Sequence, residues 1–572
     1  MRPLSSIVSI AALLSACGGA PDQDSAPSGS RYGGVFNMNE TEAIRSIFPL
    51  TLTQASAYRI ASQIYQGLVR FDPVDLHILP CLAEKWDVDA TATVYTFHLR
   101  NDVRFHDDPM FPDGKGRELN ADDVVRCFTA ICTHGQGDQM FWLFQDRVAG
   151  ANAYFAATSK GDPPKKGVQG IEKLDDLTVR ITLTHPSLNF LQVMAHQGCW
   201  IWPHELAETY PHDLMAHAIG TGPFRLKLAR PGESMVLERD PHYWRRDTNG
   251  DPLPYLDAVR ITFAEDKNNE LEEFLKGHLS AMLELPVERV DVLKDSLDAA
   301  GHERFLVRSV PALTVQFYGF NSMKPPFDDL LVRKAFALAI DRHLLVDSVL
   351  RGLAVIADHG LVPPGMSGYP YAEVSAIPFA PDSARKLLAL AGYPDGKGFP
   401  SVLLQVNNDG FGYVRYAEAV QEMLQHELHV AIAVSVLPAD QHYERIEMAK
   451  ALFWREGWIA DHPDPENFLS LLYGKNAVLD TAQPASLNNT RYHNSSFDSL
   501  FARAQQTTDD AKRMALLAQA ERIAMADMPI APLYHERAVR LLQPWVRDLP
   551  LNPLESLDLS DVWFDRSVMK DH

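Results

Sequence analysis

The chain is poor in cysteine, in positive charge and in the short motifs of catalysis. Only five of its 572 residues are cysteine and no two stand in a Cys-x-x-Cys pair, so nothing argues for a zinc ribbon. Lys and Arg number 53 against 74 Asp and Glu, a net charge of -21, which makes nucleic acid and anionic lipid surfaces poor partners for the body of the protein. There is no Gly-x-Ser-x-Gly and no phosphate-loop consensus. His426-Glu427-Leu428-His429 is one residue short of a zinc-protease pair, and His204, His212 and His217 are not at zinc spacing, so these read as ordinary surface and core histidines. Asp247 to Asp251 has the flavour of a calcium loop but lacks the twelve-residue pattern and its closing Glu, and reads as a β-turn. No metal, cofactor or catalytic group is expected.

What is present is ordinary globular material, 46% hydrophobic and 22% charged, in a length that suits two or three domains. At the N-terminus Arg2 precedes an apolar run from Leu4 to Leu14, too short for the about 20 residues of a membrane span but right for a secretory signal. Residues 1–16 are read as that signal. Its end, Leu14-Ser15-Ala16-Cys17-Gly18, resembles the lipobox of bacterial lipoproteins, which makes Cys17 the lipidated first residue of the mature chain. Residues 17–31 then read as a flexible tether reaching roughly 20 Å on random-coil scaling. Cys127 and Cys132, five apart in a helical pattern, lie about 8 Å apart and cannot bond each other, while a Cys81 to Cys199 pairing stays open.

The body mixes strands and helices. Gly34 to Met38 reads as a strand and Tyr58 to Leu68 as a helix with Ile60, Ile64 and Leu68 on one stripe. Tyr95 to Arg100 and Thr178 to Thr184 alternate as half-buried strands. Asn120 or Asp122 caps the next helix, and Val332, Phe336, Ile340 and Leu344 predict one continuous helix. A helix is expected from the Asp382 cap to Ala391, stopped by Gly392. Strand Val402 to Val406, helix Tyr413 to His426 and strand Val430 to Val436 form a βαβ unit, and Asp509 or Asp510 starts a late helix.

Between these last elements lies the stretch Phe453 to Leu469, where a Gly and two Pro predict irregular backbone while Phe453, Trp458, Phe468 and Leu469 are too apolar to leave in water. A buried irregular segment holding both Arg455 and Asp461 needs partners for both charges. Either Arg455 pairs with Glu456 or Asp461, or the segment walls a pocket for a charged ligand.

Gly457-Trp458-x-x-Asp461 followed by Asp464-Pro465-x-Asn467-Phe468 resembles the site segment of the oligopeptide- and dipeptide-binding proteins that serve ABC importers. Pro80-x-Leu82-Ala83-x-x-Trp86, Tyr95 to Arg100, Val103 to Asp107, Gly220-Thr221-Gly222-Pro223-Phe224 and Val332 to Arg342 follow in the family's order. The resemblance implies an α/β, two-lobe periplasmic binding protein fold (class II, cluster C) with an extra subdomain and a two-segment hinge. Lobe one would comprise residues 32–310 plus 530–572, with the subdomain at about 57–218, and lobe two residues 311–529. It implies a lipid-anchored extracytoplasmic monomer that binds peptides by closure and delivers them to membrane permease subunits. Asp461 would take the ligand's ammonium, Arg455 its carboxylate end, and the backbone of Gly457, Trp458, Ile459 and Ala460 the peptide backbone, with Trp458 as cover. Thr53 and Ala55 would approach from the opposite lobe, although Ser46-Ile47-Phe48-Pro49 stands where the family has Ser-Leu-Asp-Pro. Relatives also bind nickel complexes, haem, murein peptides and sugars. A surface hydrolase using Asp461 and Asp464 as paired carboxylates is the alternative from another class.

Overall fold

The computed structural model describes residues 31–569 except 43, 212, 213, 215, 216, 298–300, 302, 376, 409–411 and 486. The signal segment, Cys17, the tether up to residue 30, and His212 lie outside the described residues.

Apolar side chains gather into two large cores. The first draws on residues from Phe36 to Leu283 and again from Leu542 to Phe564; the second runs from Leu313 to Tyr534 and takes in Leu76. The first core carries two four-stranded sheets, one ordered 35–40, 258–263, 234–239, 224–230 and one ordered 83–88, 94–99, 178–182, 171–175. The second is built on an eight-stranded sheet in which Thr314–Phe320 lies between Ile530–Leu542 and Phe453–Ile459. Every residue of Thr314–Phe320 is buried, as a strand covered on both faces must be. Phe320, Phe327, Phe336 and Phe453 pack around it with ring centroids 5.0 to 6.3 Å apart. The strand Ile530–Leu542 spans 13 residues, starting in the second core and ending in the first. Among the described residues no helix is long and apolar enough to cross a membrane.

Local chemistry sets the element ends. Asn120 accepts from Asp122 N–H while Asp123 accepts from the Asn120 N–H, a reciprocal cap that starts Ala121–Ile131. Asp509 caps Asp510–Asp527, and Val402–Asn407 pairs in parallel with Ile432–Leu437 across the helix Tyr413–Leu428.

Three expected elements differ. The first helix covers Ala55–Ala61, not Tyr58 to Leu68. The carbonyls of Gln63 and Ile64 are taken by the N–H groups of Phe224 and Gly222 at 3.0 and 2.8 Å, so they cannot serve a helix. That close approach needs glycine, since a Cβ on Gly222 would meet the Gln63 carbonyl at 2.5 Å. The expected helix from Val332 to Leu344 breaks instead after Leu330–Leu338 and resumes at Arg342 under an Asp341 cap. Arg342 fills the break by donating to the carbonyls of Ala337, Ile340 and Pro532. The helix expected from an Asp382 cap begins two residues earlier, capped at Ala380 with Pro381 as its first residue, where a missing N–H costs nothing. Cys81, Cys127, Cys132 and Cys199 are all free and buried, so no Cys81 to Cys199 bond forms.

Candidate ligand-binding site

The stretch expected to be irregular is a regular strand for its first seven residues, Phe453–Ile459, and becomes irregular at Ala460. It runs antiparallel to Thr314–Phe320, with Gln316 opposite Gly457 and Thr314 opposite Ile459. Glycine is required at 457 because a Cβ there would lie 2.6 Å from the Gln316 side-chain oxygen.

The Ala460 N–H donates to the Leu313 carbonyl at 2.9 Å, so alternation turns the N–H and C=O groups of Gly457 and Ile459 away from that partner strand. On the far side Val402–Asn407 is in register only with Phe453 and Trp454. The next carbonyl, Arg455, accepts from His442 Nε2 at 3.0 Å. Beyond it, among the described residues, no strand covers the edge. A strand edge with unused backbone groups is a template for an extended chain.

Asp461 stands just past this edge and is half-buried. Asn467 grips the segment, donating to Asp461 Oδ2 at 2.9 Å and accepting from the Asp461 N–H at 3.2 Å and from Trp458 Nε1 at 2.8 Å. Burial pushes the Asp461 carboxyl above its ordinary value, with the Asn467 hydrogen bond pulling the other way. No cation lies within ion-pair distance of it among the described residues. Tyr58, on the Ala55–Ala61 helix of the first core, is raised by burial and further by the Asp461 charge. Thr53 and Ala55 are exposed near the start of that helix, and Ile459 is 63% exposed.

Arg455 pairs with neither Glu456 nor Asp461. Six residues of chain separate it from Asp461, up to roughly 20 Å if fully extended, and Glu456 points to the opposite face, taking hydrogen bonds from Trp454 and Asn489. Its guanidinium donates to Gln316 at 2.5 Å and Asn407 at 3.3 Å and lies 3.4 Å from the Tyr413 ring centroid. All three are neutral groups. Gln316 in turn donates to Glu536 at 3.1 Å, and Glu536, raised by burial, is pulled back by the nearby Arg455 charge.

Asp464 is fully engaged. It caps the helix Pro465–Leu469 and takes two 2.7 Å hydrogen bonds from the buried Arg513. A carboxylate so held is not free to act as a hydrolytic partner of Asp461. Beside it Glu466 links the two cores, accepting from Arg513 at 3.0 Å and from Asn189 at 3.2 Å. His462, 4% exposed and pushed down by burial, lies in the same junction, where it feels the charges of Asp464, Asp461 and Arg147. Asn467, Gln316 and Tyr58 are functional candidates that sequence reasoning did not select. Asn467 alone left a signal, as an amide just inside a capped helix after the Asp461 turn.

Residues 77–480 match the model of the bacterial extracellular solute-binding proteins, family 5 middle region. Heme-binding protein A of Haemophilus influenzae is 27% identical over 521 residues, covering 88% of this chain and 88% of its own length. Di/tripeptide-binding protein 1 of Pseudomonas aeruginosa is 27% identical over 502 residues, 86% and 87% of the two chains. Among solved structures, the periplasmic binding protein DppA from Helicobacter pylori in complex with the peptide STSA superposes with a TM-score of 0.77 at 24% identity, over 94% of this chain and 99% of that one.

Proposed function

Since the chain belongs to family 5 of the bacterial extracellular solute-binding proteins, we propose that it is the peptide-binding component of an ABC importer, working outside the cytoplasm. The observation that carries this reading is the uncovered strand edge at Gly457 and Ile459, flanked by an uncompensated carboxylate at one end and a guanidinium on neutral partners at the other. An extended peptide would add to that edge through its backbone, which is sequence-tolerant recognition. Its ammonium would meet Asp461 and its carboxylate Arg455. A span of up to roughly 20 Å between them admits at most about five or six extended residues.

In this reading lobe one is residues 32–310 plus 530–572, with the subdomain at about 57–218, and lobe two is residues 311–529. The strands near 310–321 and 530–534 form the hinge, the lobes close over the ligand under Trp458, and Thr53 and Ala55 border the cleft from lobe one. The protein acts as a monomer, held to the membrane by lipid on Cys17, and hands its ligand to permease subunits. Labelling with palmitate should mark the wild type and not Cys17→Ser.

The reading is tested by calorimetry with defined peptides of two to six residues, followed by mass spectrometry of what is released. Saturable binding and intact ligand are expected. Cleaved peptide in the supernatant would favour a hydrolase, and binding indifferent to both peptide termini would remove Asp461 and Arg455 from the site.

A further inference from the structure

On an acidic body one groove outside the cleft is basic. It has a volume of about 470 Å³, and its walls include Arg70, Arg100, Arg245 and Arg246, with Trp244 and a single carboxylate, Asp102. Two of the arginines are braced by acids: Arg245 lies 3.1 Å from Asp561 and 4.0 Å from Asp558, and Arg70 lies 3.5 Å from Asp558. The other two bond only uncharged oxygens among the described residues. Arg100 donates to the Cys81 carbonyl at 2.8 Å and stacks 4.3 Å from the Trp244 ring centroid, and Arg246 donates to the Gly250 carbonyl at 3.0 Å. Four guanidiniums against Asp102, Asp558 and Asp561 leave the groove one charge positive.

The segment that brings Trp244, Arg245 and Arg246 to the groove runs on into residues that receive the N-terminal end of the described chain. Arg31 donates to Tyr255 at 3.3 Å, lies 3.9 Å from Asp247 and stands 5.3 Å from the Trp563 ring centroid. Tyr32 donates to the Pro252 carbonyl at 2.8 Å, and Pro252 bridges to Arg246. The groove therefore lies near the point where the tether would leave the body, and the lipoprotein reading of Cys17 would bring that end of the molecule to the membrane.

We propose that this groove binds the phosphate of an anionic phospholipid headgroup in the membrane that carries the anchor. Arginine forks match phosphate oxygens, and an indole ring suits the boundary between headgroup and acyl chain. The net charge of the body does not forbid it, because at physiological salt charges beyond about 8 to 10 Å are screened and the contact is decided by the groove and its nearest neighbours, Arg31 and Asp247 among them. The consequence is orientation: the anchored body would be held with one fixed face to the lipid.

The face-to-membrane argument rests on the lipoprotein reading of Cys17, but the binding itself is testable without it. The chain from residue 17 onward, carrying Cys17→Ser, is mixed with vesicles of pure phosphatidylcholine or with a third phosphatidylglycerol. Retention on the phosphatidylglycerol vesicles alone is expected, falling about fivefold for each arginine lost, in Arg246→Gln and again in Arg70→Gln/Arg246→Gln. Arg246→Lys should keep most of the retention, which separates charge from folding, and unchanged melting temperatures check the rest. Equal retention on both vesicles, or none on either, overturns the proposal. Saturable binding of glycerol phosphate without vesicle retention overturns it too, by giving the site to a soluble phosphate.

Discussion

Asp461 and Asp464 are three residues apart in one segment and live in opposite surroundings. Asp464 has a helix to cap and a buried guanidinium gripping both its oxygens. Asp461 has an amide on one oxygen and, among the described residues, no cation. The same contrast divides the arginines: Arg513 is neutralised by Asp464 and Glu466, whereas Arg455 rests on Gln316, Asn407 and the Tyr413 ring. A charge whose partner is built into the fold serves the fold. Asp461 and Arg455 have no ion-pair partner among the described residues, and the proposed function assigns them to the two ends of the ligand.

Asp464 should matter most to stability. Asp464→Ala leaves Arg513 buried beside Glu466 alone, and a loss of about 3 to 5 kcal/mol is expected in urea unfolding, with peptide affinity of the folded protein little changed. A loss under about 1 kcal/mol would erase the distinction.

Asp461→Asn should do the reverse. Affinity for free peptides should fall by about 2 to 5 kcal/mol, roughly 30- to several-thousand-fold, because a buried ammonium loses its counter-charge. Stability should not fall. Peptides acetylated at the amino end should bind wild type and variant equally poorly in calorimetry.

A smaller effect is expected from Arg455→Ala, about tenfold in affinity and confined to the carboxylate end, so that the preference for one peptide length is lost while selection for a free amino end survives. In a double-mutant cycle the two substitutions should be additive in unfolding, since the two side chains share no hydrogen-bond or ion-pair partner. Coupling in unfolding would mean a hidden pair and would sink the assignment.

The smallest effect sharpens the comparison with pH. Burial raises Asp461 in the free protein, so its protonated form is favoured by folding. The stabilisation that protonation gives is present below the unfolded value of 3.8 and lost as pH rises through the higher folded value. At pH 7 ionised Asp461 is therefore a cost, and ligand-free Asp461→Asn should be more stable than wild type by up to about 1 kcal/mol. That margin should shrink on acidification toward pH 4, followed by thermal melts across the range.

Much of the fold was legible because its signals are local. The Asn120 and Asp509 caps, the alternation at Tyr95 to Leu99 and the βαβ unit each need only neighbouring residues. What was misread depended on distant partners. The helix after Tyr58 is cut short by a segment some 160 residues later, as the Gly222 to Ile64 hydrogen bond requires. Gly457 looked like a breaker of strands and is instead the space for Gln316, which lies 139 residues from the arginine it meets. The type of charge at the site was readable. Its isolation was not, because that depends on where Val402–Asn407 stops pairing.

The reach of the 13-residue strand at Ile530–Leu542 bears on how the chain comes to be folded at all. Its last residue, Leu542, and then Trp545, Leu557 and Phe564 complete the first core, Phe564 stacking 6.5 Å from Phe36 and Gln63 bonding the Leu557 carbonyl across 494 residues of sequence. A chain synthesised amino end first presents Phe36 and its neighbours long before their carboxyl-terminal partners emerge. Half-built cores of this kind expose apolar surface and sheet edges, and closing so long a loop is slow. The early part of the protein is thus dependent on being shielded, or on outpacing proteases, until the last thirty or so residues arrive, and truncation within that final stretch should unravel the end of the molecule that was made first.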